Sequence, residues 1–194
     1  MPLILPSPGT FHYEEKKSKF IGNCASVQTK EEALAFITQI RAAHKTANHN
    51  VYAYSVTENN TIRFSDDGEP SGTAGMPVLN VFQKSGIINF VCVVSRYFGG
   101  TLLGAGGLVR AYTKTAKGAM EAAQPEELII YQLYKLTCTY PQHDKIKYNL
   151  EKDEIEVLNW EYTDKCQAIL KVREDQFTTL QTYDILAELY SLSD

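Results

Sequence analysis

Ser65-Asp66-Asp67-Gly68-Glu69-Pro70-Ser71-Gly72-Thr73 crowds carboxylates and hydroxyls onto a segment that glycine and proline keep out of a helix. Clustered carboxylates are what hard cations prefer, which makes Asp66, Asp67 and Glu69 weak candidates to hold Mg²⁺. Asp-Gly and Glu-Pro are also ordinary turn formers whose side chains bond their own backbone. With no distant His or carboxylate to complete a site, the turn reading is favoured, and neither a metal nor a cofactor is expected.

The segment from Ser95 to Tyr112 carries a different chemistry. Gly99, Gly100, Gly104, Gly106 and Gly107 let backbone approach a ligand, and a helix beginning among them presents free N–H groups and a partial positive charge. Arg96 and Arg110 can add charge-assisted bonds, so the segment suits an anion. Neither G-x-G-x-x-G nor G-x-x-x-x-G-K-[ST] is present, and glycines also serve simply to pack a helix closely on a sheet. His44 and His49 are five apart and share no helical face, so they read as capping or surface groups. Tyr52, Tyr54, Tyr97, Phe98 and Tyr112 can stack bases, although aromatics alternating along strands more often belong to a core. Cys92 and Ser95 lack the context of an activated nucleophile.

These residues need elements to position them. Phe11 to Val27 is β-prone around a polar Glu14 to Lys19 segment, as in a hairpin or a strand with a ragged start. Thr29 and Glu32 form a capping box for a helix to about Lys45, with Leu34, Phe36, Ile37 and Ile40 on its apolar face. Val51–Val56 and Thr61–Phe64 read as a hairpin, and a short helix is expected over Thr73–Phe82. Ile87 to Tyr97 is nearly unbroken apolar sequence, the pattern of a central strand buried on both faces. A helix from about Ala105 to Ala123 follows the glycines. Beyond Gln124-Pro125-Glu126-Glu127 the pattern is strand-like over Leu128–Tyr140, helix-like over His143–Lys152, strand-like over Ile155–Tyr162 and Gln167–Val172, and helix-like over Asp175–Leu189. A β-α-β-β-α-β domain needs one more strand, which Tyr190 to Asp194 barely supplies.

The chain has 194 residues and ordinary globular composition, 44% hydrophobic and 22% charged. Its net charge of -4 hides an asymmetry: residues 1–124 hold twelve Lys and Arg against nine Asp and Glu, whereas residues 125–194 hold seven against fourteen. That change coincides with the break after the helix, so two domains are expected, 1–124 and 125–194. A mildly basic first domain can face a phosphate backbone; an acidic second one can face a basic protein. The four widely spaced cysteines form no metal or redox motif and read as reduced, packed thiols. Without an apolar run long enough to span a bilayer or a secretory leader, a cytoplasmic location away from membranes is expected.

His49-Asn50-Val51-Tyr52-Ala53-Tyr54, Ser65 to Gly75, Arg96-Tyr97-Phe98-Gly99-Gly100 and Leu103 to Tyr112, with Lys19-Phe20-Ile21 near the start, together resemble the signature of the bacterial IMPACT family, formerly labelled UPF0029. The resemblance covers residues 10–123 by motif and the remainder by length and element order. It implies an α+β protein with a ribosomal protein S5 second-domain type of fold, followed by a ferredoxin-like domain similar to the last domain of elongation factor G. It also implies kinship with eukaryotic proteins of translational control. The leading expectation is a translation-associated RNA or ribosome binder, possessing no catalytic residue and contacting phosphates through Arg63, Arg96, Gly99, Gly100, Gly104, Gly106, Gly107, Arg110, Lys114 and Lys117. The alternatives are a Mg-dependent enzyme acting on a nucleotide or phosphorylated small molecule, and a module that docks through its acidic C-terminal domain.

Overall fold

In the computed structural model, which describes residues 2–181, 183 and 186–189, the chain divides by packing into two units, Met1–Leu128 and Ile129–Asp194. The first opens with a short strand, β1 (Leu3–Ile4), followed by β2 (Gly9–Glu15) and β3 (Ser18–Ser26). The last two form a hairpin in which Glu15 pairs with Ser18, leaving Lys16 and Lys17 as its two-residue turn. Both have left-handed backbone, φ 47° and 65°, as a type I′ turn demands. Helix α1 (Lys30–Ala43) starts where expected: Thr29 Oγ1 accepts from the Glu32 amide at 3.2 Å. It leads into β4 (His49–Val56) and β5 (Thr61–Ser65), then α2 (Gly75–Lys84), β6 (Phe90–Tyr97), α3 (Gly104–Ala122) and a short β7 (Glu126–Glu127).

The five-stranded sheet has the order β2-β3-β6-β4-β5, and every pair in it is antiparallel. Strand β6 is central and buried on both faces, which is why its sequence is apolar without alternation. Phe90, Cys92 and Val94 face α2 and α3; Val91 and Val93 face α1. On the first face Phe82 stacks on Phe90 with centroids 4.3 Å apart, and Val78, Leu108, Ala111 and Tyr112 complete the core. Strand β7 pairs with β1, Leu3 opposite Glu127 and Ile4 opposite Glu126, so the segment after Gln124 closes the first unit before the second begins.

The second unit runs β8 (Tyr131–Cys138), α4 (Tyr140–Lys152), β9 (Glu156–Tyr162), β10 (Cys166–Arg173), α5 (Phe177–Gln181) and β11 (Leu186–Leu189). Its antiparallel sheet has the order β11-β8-β10-β9, and Leu136, Leu150, Leu170 and Leu180 are the largest fully buried side chains among its described residues. The expected helix over Asp175–Leu189 is corrected here. Only its beginning is helical, and Leu186–Leu189 instead pairs with Leu186 opposite Thr137 and Leu189 opposite Tyr134. The open edge of β8 offers these residues a ladder of backbone bonds, and tertiary context of that kind outweighs helix propensity. The missing strand therefore comes from 186–189; the tail Tyr190–Asp194 lies outside the described residues.

Candidate functional site

Register builds the site. Phe20 of β3 and His49 of β4 both stand opposite Arg96 of β6, so the three form a row across the sheet on the face that α3 covers. Arg96 is only 5% exposed. Its guanidinium carbon lies 5.5 Å from the Phe20 ring centre and 5.6 Å from that of Phe98, and its Nη1 donates to Glu69 Oε1 at 2.6 Å. The Tyr112 hydroxyl, reaching in from α3, donates to the same oxygen at 2.7 Å. Burial, and then the neighbouring Glu69 carboxylate, push the Tyr112 phenol well above its ordinary pKa, so it remains a donor. Arg96 Nε is buried with no hydrogen-bond partner, a deficit of about 1–3 kcal/mol for a donor of this kind.

His49 Nδ1 lies 2.8 Å from the Asp67 carbonyl oxygen. A carbonyl only accepts, so Nδ1 carries a proton, and the other ring nitrogen, Nε2, lies 3.9 Å from Glu69 Oε1. The other two carboxylates of the loop are engaged in holding it. Asp66 Oδ1 accepts from the Ala74 and Gly75 amides and Oδ2 from that of Gly72, tying the loop to the start of α2. Asp67 Oδ1 pairs with Arg41 at 2.7 Å, while Oδ2 accepts from the Asn50 amide at 2.6 Å. Among the described residues no group of three or more His, Cys, Asp and Glu side chains converges to hold a metal ion.

Above this row lies a cavity of about 420 Å³, lined by Asn48, His49, Glu69, Arg96, Phe98, Leu103, Gly104 and Ala105 among others. Its size is that of a small-ligand pocket, and its mouth carries Leu102 at 83% exposure. Helix α3 begins here with no side-chain cap at Leu103, after which Gly104 has φ 71°, a conformation glycine takes without strain. Gly99 is required for another reason: a Cβ there would overlap the Lys17 carbonyl and the Ser18 amide, so it is the contact that seats the β2–β3 turn against the end of β6. Gly100 lies exposed in the loop between them.

A second, smaller groove of about 210 Å³ separates that hairpin from α3 and is lined by Tyr13, Glu15, Lys16, Leu103, Gly107, Arg110, Ala111 and Lys114. Lys114 Nζ stands 4.3 Å from the Tyr13 ring centre. Arg110, Lys114 and Lys117 are spaced to share one face of α3, and all three are exposed. The sequence-predicted residues are thus divided between two places. Arg96 and Gly104 line the cavity, Gly107, Arg110 and Lys114 the groove, and Gly106 sits between them in the first turn of α3. Lys117 extends the basic face of α3 and pairs with Glu121 at 3.6 Å. Arg63 belongs with neither: it lies on the edge strand β5, its Nη1 donating to the Ile62 carbonyl.

The Impact N-terminal domain family matches residues 16–120, and a domain of unknown function, DUF1949, matches residues 136–182. An IMPACT family member of Haemophilus influenzae is 37% identical over 175 residues, 89% of this chain and 85% of that protein. The chain belongs to the IMPACT family. The IMPACT family member YigZ of Escherichia coli is 37% identical over 163 residues, 82% of this chain and 80% of its own. A crystal structure of a hypothetical protein superposes over 98% of both chains at 30% identity with a TM-score of 0.61.

Several residues of this IMPACT site escape sequence reasoning. Glu69 reads as a turn residue, yet it is the buried acceptor on which Arg96 and Tyr112 meet. Phe98 reads as a base-stacking candidate and Phe20 only as part of the Lys19-Phe20-Ile21 motif, yet both flank the guanidinium. Lys16 shows no motif at all; only the hairpin turn places it opposite α3. Tyr54 is buried against α1 and Tyr112 against Phe20, so these two are core aromatics rather than stacking platforms.

Proposed function

We propose that this IMPACT protein is a translation-associated RNA- or ribosome-binding regulator of the cytoplasm that contacts phosphates along the groove between the β2–β3 hairpin and α3. One observation carries the reading: Lys16, Arg110 and Lys114 converge on that groove beside Tyr13, and none of the three pairs with a carboxylate among the described residues. Unpaired cations around an aromatic ring are what a nucleic-acid strand recognises through its phosphates and bases. Lys117 continues the stripe, while Arg96 is buried and paired with Glu69 and belongs to the separate cavity. The translational setting comes from the family resemblance, as do the fold types we assign, a ribosomal protein S5 second-domain type and a ferredoxin-like domain. The antiparallel β11-β8-β10-β9 order supports the latter. No helix among the described residues is long and apolar enough to cross a membrane.

Ribosome pelleting and filter binding to RNA at low salt test the proposal. The chain is expected to co-sediment and the triple variant Lys16→Ala, Arg110→Ala, Lys114→Ala to bind at least about tenfold more weakly, as removal of three phosphate-binding cations requires. Binding that the triple variant leaves intact would sink it.

A further inference from the structure

The second unit carries a surface that the RNA reading leaves unused. We infer that its outer strand β9, with the aromatic rings beside it, is a docking surface for an extended, arginine-bearing segment of a basic protein. Trp160 and Tyr162 stand two apart on β9 and so face the same side of the sheet, their ring centres 6.2 Å apart and their planes inclined by 14°. Tyr140, the first residue of α4, extends the row, its ring centre 6.5 Å from that of Tyr162 and its plane inclined by 26°. The Tyr140 hydroxyl donates to the Thr163 carbonyl at 2.8 Å, and His143 Nε2 lies 3.1 Å from the Tyr162 hydroxyl, so the rings are held in place before anything binds. Tyr140 and Tyr162 are nonetheless 52% and 55% exposed.

Charge and shape decide the occupant. Exposed, nearly parallel rings accept either a nucleobase or a planar cation. Residues 154–164 carry Glu154, Glu156, Glu161 and Asp164 with neither Lys nor Arg, and of these four only Glu156 pairs with a cation among the described residues, Lys171 at 3.0 Å. Residues 125–194 as a whole hold seven Lys and Arg against fourteen Asp and Glu, which opposes a phosphate backbone and favours a basic chain. The rings are also unclaimed. Tyr13, Phe20, Tyr52, Phe98 and Tyr131 each have a Lys or Arg of this chain over the ring, whereas among the described residues no such cation lies over Tyr140, Trp160 or Tyr162. A guanidinium is planar and stacks on such faces better than an ammonium. Strand β9 is the edge of its sheet, with residues 159–162 in unbroken register with β10, so its outward N–H and C=O groups can hold an extended backbone alongside the rings.

Trp160 is the chain's one tryptophan, so its fluorescence reports on this surface alone. Octa-arginine titrated into the full chain at low salt is expected to change that signal saturably, octalysine to bind several-fold more weakly, and octauridylate to leave the signal unchanged. Tyr140→Leu with Tyr162→Leu is expected to weaken octa-arginine about tenfold, as the loss of two cation–π contacts requires. Should that variant fail to fold, Glu161→Lys with Asp164→Lys, both exposed, probes the same surface and is expected to weaken octa-arginine by a similar factor. No saturable change, equal binding of octalysine, octa-arginine binding that survives either variant, or a larger response to octauridylate overturns the proposal. The groove variant Lys16→Ala, Arg110→Ala, Lys114→Ala is expected to keep the octa-arginine response while losing RNA, so the two proposals fail separately.

Discussion

Glu69 holds two donors, from β6 and from α3, on one oxygen of a buried side chain. Removing it strands the Arg96 charge, and breaking a buried pair in this way costs about 3–5 kcal/mol. Glu69→Ala is therefore expected to unfold at markedly lower urea, and the double variant Glu69→Leu, Arg96→Met to recover much of the loss. Equal instability of the two variants would show that the pair does not hold the site. The four cysteines are all free and buried. Burial pushes the Cys24 thiol up to about 12 and Cys92 well above its usual range. The folded chain thus keeps protons that the unfolded chain releases near the ordinary thiol pKa of about 8.5. Stability from these thiols is complete below that pH and is lost as pH rises towards 12. At a pH of about 8, just below that ordinary thiol pKa, a thiol reagent is expected to modify Cys24 and Cys92 only as fast as the protein unfolds. Rapid labelling of the folded chain would contradict this. Residue chemistry was partly legible in the sequence, because spacing exposed Arg96 and the glycines. The role of Glu69 was not, since its partners lie 27 and 43 positions away and only the packing of loop, strand and helix brings them together.

At the scale of elements, the hairpin turn and α3 act as one device. Lys16 and Lys17 adopt left-handed backbone that costs a non-glycine residue about 1–2 kcal/mol each, and Gly99 makes room for the turn they form. Replacing them by Asn-Gly relaxes the turn and removes its charges. The variant Lys16→Asn, Lys17→Gly is expected to gain about 1 kcal/mol in chemical unfolding while binding ribosomes more weakly. Tighter binding, or no gain in stability, would refute the coupling of turn strain to recognition. Helix α1, strand β6 and helix α3 could be read from the chain because capping, unbroken apolarity and a glycine start are local signals. Strand β11 could not: Leu186–Leu189 acquires its conformation from an edge of β8 that lies far earlier in sequence, and no local pattern records that edge.

For the whole molecule, charge asymmetry is the property that binding reads. Residues 1–124 carry a surplus of three positive charges and residues 125–194 a deficit of seven, so affinity for RNA should come from the first unit and fall steeply with salt. Every phosphate-binding cation removed is expected to flatten the slope of log K against log salt by about 0.7, so the triple groove variant should be shallower by about 2. An unchanged slope would place the phosphate-binding residues elsewhere. This asymmetry was legible from composition alone, whereas the separation of cavity from groove required the packed sheet. The pairing of β1 with β7 has a consequence of its own. It clasps residues 3–4 to 126–127, so the first unit begins and ends at one point on its surface. A body whose entry and exit coincide is portable: it can be spliced into a surface loop of an unrelated host, or re-cut to begin elsewhere, without stretching the chain on either side.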